Sequence, residues 1–350
     1  MSSDLAPYHS PSRYHPLRRY LEHGLSAKQW AEEQFQLEIS QAVDLDSASQ
    51  VGAEQALLAM DTLPLQVKDI LRGLVERVHL QPAGRFDIDE LGCWRQGELR
   101  INCEPGRVAS MQGWVLEGGN AKQMLQTTFV HESGHALAED PRGGVSLRNF
   151  VRLLAASGWL PHPLADPEPF RGEGMTPQEL TDYMLRRLRQ IDPRWDPTLP
   201  AGSPSHPPQE RLDMDLMGPP GFHTAAPDEA PRSLGLRGPR QLSRELLAAA
   251  ARGSLDSDLG RVGLSGATVR RVADRFRPVS SYAEDLISET PAEVFRQLHR
   301  GRSVWVDAAL AMEVGDQVLI QPWRMAELER GRPEPAPGPF PRARQLSLRR

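Results

Sequence analysis

Phe129-Val130-His131-Glu132-Ser133-Gly134-His135-Ala136-Leu137 decides how the rest of the chain is read. The nine residues lie inside an apolar run from Met124 to Ala138 whose spacing predicts a helix, with Leu125, Phe129, Val130 and Leu137 available for a core. On a helix, residues four apart sit about one turn along the same face. His131 and His135 therefore project together, and two imidazoles on one face can grip one metal ion. Glu132, beside the first histidine, falls where it can take a proton from a water that such an ion acidifies. Gly134 costs about 1 kcal/mol relative to alanine inside a helix, so its presence points to close packing or a functional need.

Two histidines do not complete a metal site. Ala138 and Pro141 stand where a His-x-x-Gly-x-x-His continuation would place glycine and histidine. Glu139 lies a further turn from His135, beyond a metal held between the rings, and together with Asp140 it marks the polar helix end before Pro141. The third ligand is expected from a second, distant helix.

A stretch with the right chemistry runs from Ser280 to His299 and contains Tyr282, Glu284, Asp285, Glu289 and Ala292-Glu293-Val294-Phe295-Arg296. With the His-Glu-x-Gly-His-type helix at 131–135, these residues resemble the anthrax lethal factor-like zinc metallopeptidases. That family follows its metal helix with a tyrosine, a glutamate seven residues on, and an Ala-Glu-x-Phe-Arg-type run. The likeness covers about a tenth of the chain, in two blocks. It implies Glu289 as the third zinc ligand, Glu293 as a carboxylate that orients a metal-bound histidine, and Tyr282 as donor to the oxyanion. Pro291 departs from the pattern. Thr290-Pro291-Ala292-Glu293 also reads as a helix start with Glu293 closing a capping box, which would put Glu289 just outside the helix. Glu293, then Glu284 or Asp285, are the alternative ligands.

The expected fold class is α+β: a mainly helical, zincin-like catalytic domain with a small sheet, a helical N-terminal region and a Pro/Gly-rich insertion. Residues 1–80 read as the helical region, with 1–14 disordered. Helical character runs from Leu17 to Ile39, from Ala53 to Met60, and after Pro64 through Val67, Ile70, Leu71, Leu74, Val75 and Val78. Residues 81–140 carry the sheet and the metal helix, with strands expected at Arg85–Ile88, Glu98–Asn102 and Gly113–Leu116. One of these, before Gly118-Gly119-Asn120, is the candidate rail for an extended substrate, and Asn120 the helix cap. Residues 141–240 are the insertion: about half of the 31 prolines fall between Pro161 and Pro239, around helices at 146–156 and 176–191. His162, His206 and His223 are expected to be exposed there. Residues 241–329 return to the catalytic domain, with helices at 243–251 and 266–276 before the third-ligand helix, and 330–350 form a disordered tail.

Net charge is −5, and the arginines look scattered along the chain, so no nucleic-acid partner is expected. No apolar run reaches the ~18 residues that span a bilayer, so no membrane partner is expected either. The polar N-terminus lacks a secretory signal, which predicts a cytoplasmic protein or one exported without a cleaved signal peptide. The two cysteines, Cys93 and Cys103, flank the turn signal Arg95-Gln96-Gly97 and are expected as free thiols facing each other across a hairpin.

The expected activity is a zinc-dependent endopeptidase acting on a protein or peptide, with an exported toxin, and a cognate inhibitor or immunity protein, as what the family likeness implies. The alternatives are an intracellular regulatory metalloprotease and a catalytically inactive zinc-binding interaction module. A structural zinc site closes with four protein ligands, usually including cysteine, and no fourth ligand lies near 131–135.

Overall fold

A computed structural model of the chain describes residues 14–42, 47–86, 90–95, 97–104, 121–139, 145–191, 236–276, 279–280, 283, 287–300 and 309–321. The architecture is α+β, with a four-stranded sheet set against a helical bundle and a second, mostly helical cluster beside it.

The N-terminal part opens with α1 (Leu17–Glu22) and α2 (Ala27–Phe35). Helix α2 begins with a reciprocal capping box between Ser26 and Gln29. Strand β1 (Glu38–Gln41), α3 (Ser47–Asp61), α4 (Leu65–Leu74) and β2 (Arg77–Gln81) follow. The all-helical expectation for this region is corrected by the two strands. Gln36 ends α2 in the left-handed conformation, and beyond it Ile39 is buried with exposed Glu38 before it. Val78 and Leu80 alternate with Arg77, His79 and Gln81, the burial period of a strand. Val78 also continues the helical spacing of Leu71 and Leu74, which is why the sequence read through the boundary; Val75, already extended, breaks the helix. Tyr14, expected in a disordered leader, is buried, stacks on Phe35 and donates to Asp69.

Strands β3 (Gly92–Arg95) and β4 (Glu98–Asn102) complete the sheet in the order β1-β2-β4-β3. The first three are parallel and β3 is an antiparallel edge. Ile39, Val78, Leu80, Leu99 and Ile101 share the inner face and are fully buried. β4 matches its expected span. The strand expected at Arg85–Ile88 begins in a 3-10 turn, Ala83–Arg85, followed by Phe86 outside any strand; residues 87–88, like the strand at 113–116 and the Asn120 cap, lie outside the described residues. The β3–β4 hairpin pairs Cys93 with Arg100, so the cysteines do not face each other. Both are free and buried, and burial first of all holds each thiol up to about 12.

Helix α5 (Ala121–Glu139) carries the histidines and is the hub of the main core. The sheet lies on it through β3 and β4, α3 and α4 pack along it, and α11 (Thr290–Arg300) crosses it. Its mid-helix hydroxyls are satisfied locally, Thr127, Thr128 and Ser133 each donating to the carbonyl four residues back. α12 (Ala309–Gly315) runs into a π-helical turn, Asp316–Ile320, against α11.

The second cluster comprises α6 (Leu147–Ala156), a two-residue pairing of β5 (Leu160–Pro161) with β6 (Leu236–Arg237), α7 (Pro177–Ile191), α8 (Pro239–Ala251), α9 (Leu255–Arg261) and α10 (Gly266–Ala273). Phe150, Leu154, Trp159, Leu180, Leu259 and Val269 meet in its own core. The cluster also takes in Phe276 and Ile287. Thr176 and Glu179 form a reciprocal cap at the start of α7. His162 is packed, its ring against Glu245 at 3.0 Å, which corrects the expectation of an exposed residue; His206 and His223 lie outside the described residues. Among the described residues no helix is long and apolar enough to cross a membrane.

Candidate metal centre

The centre is built where α5 and α11 touch. A Cβ added to Gly134 would stand 2.6 Å from Ala292 Cα and 3.0 Å from Phe295 Cβ. Only a residue without a side chain lets the two helices approach this closely, which answers why a glycine occupies the helix interior. Val130, Phe129, Val294 and Phe295 seal the contact from below. The result is that one turn of α5, bearing both histidines, faces the first turn of α11.

Glu289 sits in the 3-10 turn Ile287–Glu289 that leads directly into α11. It lies just outside the α-helix proper, as the Pro291 reading required, yet its carboxylate reaches both rings. Its Oε2 is 2.9 Å from His131 Nε2 and 3.0 Å from His135 Nε2. The donor atoms of His131, His135 and Glu289 all lie within 4.8 Å of one another, so the three residues could hold a metal ion. The two segments brought together are 154 residues apart between His135 and Glu289.

Glu293 is one turn along the same helix and does not close a capping box. Its Oε1 accepts from His131 Nδ1 at 3.0 Å. Thr290 Oγ1, the cap it would have reciprocated, is buried without a hydrogen-bond partner. Arg296 then braces Glu293 from the third position on, its Nε donating to Oε1 at 2.8 Å and its second nitrogen to Oε2. A chain of contacts thus runs Arg296–Glu293–His131–Glu289. With Nδ1 of His131 donating to Glu293, Nε2 faces Glu289 and is the nitrogen left to take a metal at the shared position once it is deprotonated.

The electrostatics follow from burial. Glu289 is 1% exposed and Glu293 3%. Burial alone would push both carboxyls up. The positive histidines overcome this at Glu289, holding its carboxyl far below the usual carboxylate range. His131 and Arg296 hold Glu293 down to about 2. Burial disfavours a charged His131, but hydrogen bonds to Glu289 and Glu293 outweigh it and raise the ring to about 9. A carboxylate buried this deeply is tolerated only beside compensating positive charge. Protonated rings provide it, and so does a divalent cation shared by the same three donors in their neutral-imidazole form. Two imidazole nitrogens and one carboxylate oxygen suit such a cation, so the residues present fit a metal.

Glu132 lies on the side of α5 that meets the sheet. It is 4% exposed, and a Cβ on Gly92 would lie 3.2 Å from its Oε1. The carboxylate therefore lies against the backbone of the edge strand β3, and its charge also acts on His131. Tyr282, Glu284 and Asp285 lie outside the described residues. Arg296 was quoted in the sequence only as part of a run; its spacing of three from Glu293 on one helix face was the available signal for an ion pair. Gly92 carried no signal at all, because its role depends on a strand and a helix meeting in space.

No protein-family model, curated protein or solved structure matches this chain. The likeness to the lethal factor-like peptidases accordingly rests on the two motif blocks and on the cluster of His131, His135 and Glu289 that they form.

Proposed function

We propose that the chain is a zinc-dependent endopeptidase that hydrolyses peptide bonds in a protein substrate. The observation that carries this reading is the convergence of His131, His135 and Glu289, from segments far apart in sequence, with Glu132 next to the first ligand. When bound, zinc supplies Lewis acidity at this point. His131 and His135 would hold it through Nε2 and Glu289 through its carboxylate. Glu293 keeps the proton on Nδ1 of His131, and Arg296 keeps Glu293 in place. Glu132 takes a proton from the attacking water and delivers it to the nitrogen of the leaving amine, so that the C–N bond breaks to give a carboxylate and an amine. Tyr282 donates a hydrogen bond to the oxyanion that forms on the attacked carbonyl.

The edge strand supports the same reading. β3 ends the sheet among the described residues, Gly92 of that strand lies beside Glu132, and an extended peptide can pair with an edge strand. The structural-zinc alternative gains nothing from the cysteines, which are buried thiols outside the three-residue group.

The test is proteome-wide mapping of new N-termini after treatment with the metal-loaded protein and with Glu132→Gln. New termini are expected only with the wild-type protein, while both forms bind one equivalent of zinc. Equal cleavage by both proteins would overturn the general-base role. Metal-loaded wild-type protein that generates no new termini would overturn the peptidase reading.

A further inference from the structure

The three short helices that close the second cluster form a unit independent of the metal centre. α8 packs on α9, and α9 on α10. Leu242 and Ala249 of α8, Leu259 of α9, Leu264 in the turn, and Val269 and Val272 of α10 are buried. The connection from α9 to α10 is only four residues, Val262 to Ser265. Gly263 takes φ +73°, Leu264 N donates to Leu259 O at 2.9 Å, and Gly263 N donates to Gly260 O at 3.1 Å. This is a Schellman ending, with Leu259 and Leu264 making its apolar contact. Ser265 then caps α10 by accepting from Thr268 N at 3.1 Å. Two helices joined by a tight four-residue turn with a left-handed glycine, steadied by a third helix, have the connection that a helix-turn-helix uses.

What α10 shows to solvent points to a ligand. Its inner face is apolar, whereas Ser265, Ala267, Arg270, Arg271 and Asp274 are exposed along the opposite face. Arg261 at the end of α9 and Arg275 just past α10 are exposed beside it. Residues 239–276 hold seven arginines against four acidic residues, a surplus of three positive charges in a chain whose net charge is −5. Arg271 also donates to Gly172 O at 3.0 Å, and Val272 abuts Gly174, so the 168–174 segment flanks one side of α10. Ala267 and Arg270 stay exposed.

We infer that the α8–α10 unit binds double-stranded DNA, with α10 entering the major groove. Arg270 is the residue placed to reach base edges, Ala267 allows close approach of the helix, and Arg261 and Arg275 meet phosphates. This departs from the expectation of no nucleic-acid partner, which rested on total charge and on the scatter of the arginines along the chain. It does not depend on the peptidase reading, because none of these residues touches the metal group.

The test is fluorescence anisotropy of the full chain with a labelled mixed-sequence 30-base-pair duplex, titrated between 50 and 200 mM salt. Two arginines on phosphates, Arg261 and Arg275, predict a slope of log affinity against log salt of about −1.8. The double variant Arg270→Ala/Arg275→Ala should bind at least tenfold more weakly at 100 mM salt, with the slope reduced by about 1. Its zinc uptake should equal that of wild type, which shows that the chain is folded, and Glu289→Ala should bind the duplex like wild type. Three results would each overturn the inference: no duplex binding by wild type at 50 mM salt, unchanged binding by the double variant, or preference for single-stranded RNA or a peptide over the duplex.

Discussion

Replacing Gly134 by alanine tests whether the contact of α5 with α11 builds the metal centre. Considered as helix propensity alone, the change should stabilise α5 by about 1 kcal/mol. The structure opposes this. The new Cβ would stand 2.6 Å from Ala292 Cα, a backbone atom, and ordinary contact begins at 3.4 Å, so the helices must part by 0.8 Å. Forcing an extra carbon into a packed interface costs roughly 1–3 kcal/mol. The net expectation is a loss of up to about 2 kcal/mol in urea unfolding, where Gly73→Ala in α4 serves as control. A Cβ there meets nothing within 4 Å, so that variant should gain about 0.5–1 kcal/mol. The second readout is metal affinity. Ala292 lies between Glu289 and Glu293, and a shift near 0.8 Å exceeds the ~0.5 Å within which a site must be held. Zinc binding by Gly134→Ala, measured by competition with a chelator, should weaken at least tenfold. Unfolding and zinc affinity both equal to wild type would refute the claim that this glycine sets the approach of the ligand-bearing segments.

The remaining predictions concern the carboxylates. Glu293→Gln should weaken zinc binding about 10–100-fold, since the ring it orients is a ligand, and Glu289→Ala should weaken it further. Arg296→Met should act through Glu293, reducing zinc affinity by less than Glu293→Gln, with no added effect when the two are combined; additive losses would refute the chain of contacts. The metal-free protein should also show a pH signature in urea unfolding with chelator present. His131, raised from 6.5 to about 9, contributes stability that is complete below pH 6.5 and is lost as pH rises through 9. Glu293, lowered from 4.5 to about 2, contributes stability present above pH 4.5 and lost as pH falls through 2. The contribution of the pair should therefore peak between pH 4.5 and 6.5, and Glu293→Gln should flatten both limbs.

The site was more legible in the sequence than the fold around it. His131, Glu132 and His135 follow from helix geometry and ligand chemistry alone. Glu289 needed a second motif and a family likeness, because a partner 154 residues away leaves no local trace. The proline after it made its element ambiguous, and the structure resolves this with a 3-10 turn joined to an α-helix. The sheet was hardest to see. β1 and β2 are four and five residues long and follow helices whose apolar spacing they extend by one or two residues. Parallel pairing also leaves no turn between partners to mark them. The hairpin at β3–β4 was visible in outline, but its register was not, and register decides that Cys93 opposes Arg100 and that Gly92 lies over Glu132.

The distance along the chain between His135 and Glu289 also sets a clock. A ribosome adding about 5–20 residues per second needs roughly 8–30 s to travel from one ligand to the other. During that interval the emerging polypeptide owns both imidazoles and Glu132 but lacks the carboxylate that completes the cluster. The α6–α10 stretch is made in the meantime and can fold on its own apolar centre before the last ligand exists. The group of His131, His135 and Glu289 is thereby incomplete in the nascent chain until Glu289 has been made, a delay written into the order of the segments.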